Sequence, residues 1–126
     1  MTVRLIESGI LLQDLSGYTT VEQSLSGIAE ARAFVAKQPG KGNLLILTDL
    51  SSSAFNQTVV DAMRDMSAQY RPWVKASALV GLTPIMRVIG KAIMAMTRRD
   101  IRICATRDEA LAYLRAAAGR QAKAGT

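Results

Sequence analysis

Residues 43 to 56 read NLLILTDLSSSAFN, from Asn43 to Asn56, and their order decides the fold. Leu44, Leu45, Ile46 and Leu47 form an unbroken apolar run. A strand with no polar alternation is covered on both faces, so this one is expected in the middle of a sheet. Asp49 ends the run, Ser51, Ser52 and Ser53 supply turn-forming hydroxyls, and Asn56 stands where an N-cap would accept a backbone N-H of a following helix. The carboxyl end of a central strand is where open α/β sheets bind their ligands. Asp49 and the serines therefore carry two readings, ordinary loop and cap chemistry or contact with a partner.

Outward from this stretch, the same alternation repeats. Upstream, Val3 to Ile6 and Ile10 to Leu15 are β-like runs separated by Glu7-Ser8-Gly9, which suggests a hairpin. Thr19 with Glu22 makes a capping box, and Val21, Leu25, Ile28, Ala31 and Val35 form a helical stripe that Pro39-Gly40 stops. Downstream, Val59, Val60, Met63, Ser67 and Tyr70 mark a second helix ending before Pro72. Val74, Ala76, Ala78 and Val80 then alternate with Lys75, Ser77 and Leu79 as a strand with one apolar face. Gly81 opens the next turn, Thr83 is an N-cap and Pro84 takes the first helical position. The third helix, to about Thr97, is unusually apolar, with Arg87, Lys91, Arg98 and Arg99 as its basic edge. Ile101 to Ala105 reads as a last strand, and Thr106 with Glu109 caps a fourth helix through Leu111, Leu114 and Ala118.

The pattern is a β entry followed by βαβαβα. It predicts an α/β fold with an open, mostly parallel sheet in a (βα)n superhelix, joined by right-handed crossovers with the helices mainly on one face. Lys75, Ser77 and Arg102 would lie on the less covered face. One domain spans residues 1 to 118, and residues 119 to 126 are expected to be a disordered tail.

Composition removes several chemistries. The 126 residues contain no histidine and one cysteine, so Ser-His-Asp and Cys-His nucleophile systems, histidine zinc sites and thiolate metal sites have no ligands to use. Cys104 lies in an apolar run and reads as a small buried hydrophobe. No apolar run reaches the roughly 18 residues of a membrane span, and the first residues carry acids and no leader-like cleavage motif. A cytoplasmic protein without metal or cofactor is the expectation. The net charge of +6 is uneven, since residues 1 to 70 hold five basic and seven acidic side chains and residues 71 to 126 hold eleven and three. The basic residues are scattered without interleaved aromatics, which argues for a solvated face and against nucleic acid.

Three stretches, LLILTDLSSSAFN, VKASALVGLTPIMRVIGKAIMAMTRRDIRI and TRDEALAYL, together resemble the SpoIIAA-like family of small bacterial proteins within the STAS superfamily, over about residues 10 to 116. The resemblance implies an open βα superhelix, similar also to the lipid-binding SEC14-like fold. In the anti-sigma-factor antagonists of that superfamily the helix after the central strand begins Asp-Ser-Ser-Gly, and its serine is phosphorylated. Here Asn56-Gln57-Thr58 stands at that place, the serine is missing, and Thr58 is the hydroxyl left at the helix N-terminus.

The function expected from these residues is a non-enzymatic interaction module that binds a protein partner or itself as a homodimer. Its contacts would be Asp49, Ser51, Ser52, Asn56 and Thr58 in one loop and Gly81, Leu82 and Thr83 in the next. The alternative is a small apolar ligand or lipid, with Ile85, Met86, Ile89, Ile93 and Met94 as an apolar surface or pocket. An enzyme is not expected, because no base accompanies any hydroxyl.

Overall fold

A computed structural model describes residues 2–7, 9–39, 42–97 and 100–124, with side chains as far as Gly119. Ser8 of the hairpin turn, Gly40 of the helix stop, Arg98 and Arg99 of the basic edge, and the last two residues of the tail lie outside the described residues. The elements are β1 (Val3–Glu7), β2 (Ile10–Asp14), α1 (Val21–Ala36), β3 (Leu44–Asp49), α2 (Gln57–Tyr70), β4 (Val74–Val80), α3 (Pro84–Thr97), β5 (Ile101–Cys104) and α4 (Arg107–Ala124). The fold is α/β.

The five strands lie in sequence order, with β1 antiparallel to β2 and the other three pairs parallel. Sequential order with crossovers of one hand puts α1, α2 and α3 on the same face. There Leu11, Ile28, Val35, Leu44, Ile46, Val59, Met66 and Tyr70 make the larger core. Every side chain of β3 is buried, because that strand is covered on both sides.

Among the described residues, the second face is closed by α4. Ile10, Leu12, Leu45, Leu47, Ala76, Ala78, Val80 and Cys104 meet Ala110, Leu114 and Ala117 there. Alanine on both sides lets the helix backbone approach the strands closely, which is how one helix covers the centre of the sheet.

This arrangement reverses one expectation. Ser77 faces the three-helix layer and is buried, while Ala76, Ala78 and Val80 face α4. Val74 does not share their face; it packs in the larger core. The cause is a register shift, since Leu44 pairs with Val74 but Leu45 pairs with Ala76, so Lys75 is the extra residue and the side chains change faces there. Arg102 does lie on the α4 side, its guanidinium 5.5 Å from the centre of the Tyr113 ring.

One helix end also differs. Thr20 with Gln23, not Thr19 with Glu22, forms the capping box of α1. Both pairs have the required spacing, and the extended backbone of Thr20 decides between them. At the C-terminal side, α4 spans Arg107–Ala124 and passes through Gly119. The glycine costs a helix only about 1 kcal/mol relative to alanine, and Ala116, Ala117 and Ala118 before it are strong helix formers.

Candidate functional site

The loops after β2, β3 and β4 emerge at one edge of the sheet, as parallel strands require. They do not form an open cleft there. Leu15 N donates to Asp49 O (3.0 Å), Gly17 N to Ser51 O (2.9 Å), Leu50 N to Val80 O (2.9 Å) and Ala54 N to Tyr18 O (2.7 Å), so backbone hydrogen bonds knit the three loops together. Gly81, at φ +83°, lets the β4 loop lie against Ser51. A Cβ on Gly81 would sit 2.7 Å from Ser51 Cα, closer than real side chains come.

The polar side chains in these loops are engaged with one another. Asp49 is 6% exposed. Its Oδ1 accepts from Ser51 N (2.9 Å) and its Oδ2 from Arg107 Nε (2.7 Å). Burial alone would raise its pKa, but the Ser51 hydrogen bonds and the Arg107 guanidinium outweigh it and hold the carboxyl below its ordinary value. Arg107 also reaches Asp14 Oδ2 at 3.4 Å. Asn56 caps α2 by accepting from Val59 N (2.9 Å), and Thr83 Oγ1 accepts a long bond of 3.4 Å from Met86 N at the start of α3. Ser52 takes a left-handed φ of 56° in the exposed turn, and Thr58 is exposed on the first turn of α2. Leu82 is half-buried and packs on the larger core. Capping and loop closure thus account for most of this set.

No family model, curated protein or solved structure matches this chain. What the chain can bind has to be argued from its own surfaces, and the apolar set on α3 offers a second location. A cavity of about 60 Å³ lies between the sheet, α2 and α3. Ile46, Leu79 and Ile101 from the sheet, Met63 and Met66 from α2, and Met86, Ile89 and Ile93 from α3 line it. Met86, Ile89 and Ile93 are therefore brought together as the sequence suggested. Ile85 is 68% exposed on the outer side of α3, and Met94 lines a shallow groove beside β5 with Arg87, Lys91 and Tyr113.

The floor of the cavity is polar, which the sequence did not announce. Tyr70 Oη donates to Gln13 Oε1, and Gln13 Nε2 donates to Thr48 Oγ1 at 2.8 Å. Ser67 and Ser77 border the same space, and Ser67 Oγ lies 3.0 Å from Thr97 Oγ1 at the end of α3. Gln13 follows the apolar run Ile10 to Leu12 in β2, ILLQD, and is buried like it, and that break in the run is the signal that could have pointed here. Arg107 carried none: at the first position of α4 it has many neighbours to choose from, and which carboxylate it meets depends on the path of the helix.

Proposed function

We propose that this chain is a non-enzymatic, cytoplasmic binding module of the SpoIIAA-like kind, whose ligand is a small apolar molecule with a neutral polar end, held between α3 and the sheet. The observation that carries this reading is the cavity, with methionine and isoleucine walls over a floor of amide and hydroxyl groups. Ligand pockets have such walls with a few placed polar groups, and at about 60 Å³ this one takes a chain of several carbons only when α3 moves outward. Methionine adapts its shape to an irregular guest.

The position of α3 supports the same reading. Met86 and Thr97 are its buried residues, and it packs on α2. An element with so little buried surface is the one able to shift and enlarge the space for a longer chain. Among the described residues, the cavity lining includes no carboxylate, amine or thiol, which favours binding over catalysis.

Native mass spectrometry with medium-chain n-alkanols, paired with thermal unfolding, tests this. The wild-type protein is expected to carry one alkanol and to melt higher in its presence. Ile93→Phe, which fills the cavity, is expected to lose both effects. No adduct and no shift across the alkanol series would sink the proposal.

A further inference from the structure

The outer side of α3 is unlike the rest of the surface. Ile85, Val88 and Met96 are 68%, 69% and 64% exposed, and with Leu5 and Ile6 of β1 they are the large exposed apolar side chains among the described residues. Positions 85, 88, 92, 95 and 96 fall on one face at helical spacing, so Ala92 and Ala95 complete an apolar stripe along the whole helix. Arg87 and Lys91, one turn apart, form the adjoining face. Arg102 of β5 borders the groove beside them, and the one acid there, Asp100, accepts a hydrogen bond from Tyr113, so cations outnumber it three to one among the described residues. The helix itself contains no acidic residue.

We propose that α3 docks the protein flat on an anionic lipid membrane, with Ile85, Val88 and Met96 entering the headgroup boundary and Arg87 and Lys91 meeting lipid phosphates. This interaction is separate from the cavity, which uses the neighbouring, sheet-facing side of the helix, through Met86, Ile89 and Ile93. Charge decides the occupant. A second copy seated stripe to stripe would bring two acid-free helices together, with four cations from Arg87 and Lys91 beside the seam. An anionic bilayer places the opposite charge there, and a helix with an apolar stripe beside a basic face lies in the plane of such an interface.

Vesicle co-sedimentation tests the assignment, using phosphatidylcholine vesicles with and without phosphatidylglycerol. Binding is expected to the anionic vesicles and to weaken with added salt. Arg87→Gln with Lys91→Gln should weaken it about thirty-fold, each cation contributing about fivefold near a charged surface. Ile85→Asp with Val88→Asp should abolish it without changing the unfolding midpoint, since both side chains are already in water. Leu5→Asp, an equally exposed change on β1, should leave binding intact, and so should Ile93→Phe, which separates this surface from the cavity.

Failure of the wild-type protein to sediment with anionic vesicles overturns the proposal. Equal binding by the Ile85→Asp, Val88→Asp variant does so too. A dimer in light scattering that Val88→Asp converts to monomer would assign the stripe to a second copy instead.

Discussion

Arg107 Nε donates to Asp49 Oδ2 at 2.7 Å, joining two residues 58 positions apart in the chain. The bond ties the first residue of α4 to the end of the central strand, and the second contact, with Asp14, reaches the neighbouring strand. Eight residues further on, Arg115 makes a two-pronged ion pair with Glu7 at the end of β1 (2.6 and 3.1 Å). The helix that closes one face of the sheet is thus fastened by one arginine at its first residue and by a second near its middle. Arg107 is the stronger fastening, because its partner Asp49 is buried while Glu7 stands at the surface.

Replacing Arg107 by alanine leaves the Asp49 carboxylate with Ser51 as its remaining partner. A buried acceptor that loses a charged donor costs about 1–3 kcal/mol, and the half-exposed arginine puts the expected loss in the lower part of that range. Urea denaturation at neutral pH measures it. Arg115→Ala should cost less than half as much, and equal losses would contradict the ranking.

The same cluster sets the response to acid. Asp49 and Asp14 are both held below their ordinary values: burial opposes this, and hydrogen bonds from Ser51 and Ser16 together with Arg107 prevail. Carboxyls lowered in the folded state add stability that is complete above their unfolded value, about 3.9, and is lost as pH falls through the lower folded values. Stability should therefore be level near neutrality and decline below about pH 4. The gap between wild type and Arg107→Ala should narrow over the same range. A gap of constant size from neutral to acid pH would remove Arg107 from the explanation.

Ala78 is fully buried between the strand and α4. Ala78→Leu adds volume in a fully buried position packed with α4 and is expected to destabilise by about 1–3 kcal/mol. Val88→Ala on the outer side of α3 should stay within about 0.5 kcal/mol of wild type. Denaturant midpoints of the two variants compare them directly, and a tolerated Ala78→Leu would mean that α4 sits less tightly than described.

Gly81→Ala meets two obstacles at once, a left-handed backbone and the Ser51 backbone in the space a Cβ needs. A loss of about 1–3 kcal/mol is expected. Gly17→Ala shares the left-handed backbone but has open space around it, so it should cost less. The difference between them isolates the clash, and identical losses would show that the close approach of the two loops is unimportant.

Cys104 is the one thiol, buried against α4, and burial with the nearby Glu109 pushes its pKa up against the opposing pull of Arg102. The native protein should react with a thiol reagent at neutral pH far more slowly than the protein in denaturant. Comparable rates would place the thiol at the surface.

Much of the architecture was legible because it rests on local rules. The apolar run Leu44 to Leu47 marked a strand covered on both sides, Asn56 marked the start of α2, and Pro84 marked the start of α3. These signals arise from neighbouring residues, through periodicity, capping and the fixed geometry of proline. The alternation of strands and helices then restricted the sheet to parallel order with crossovers of one hand.

Three things were decided by the tertiary structure. The register shift at Lys75 moved Ser77 beneath α2 and α3 and turned Ala76 and Ala78 toward α4, because a strand's pairing depends on its neighbour and a single extra residue exchanges its faces. The pairing of Arg107 with Asp49 required α4 to cross the far side of the sheet, a path that no spacing in the chain encodes. Last, composition made α3 visibly apolar, but only packing divided it into a side that lines a cavity and a side that faces water, since one helix can rest on the sheet with one face at a time.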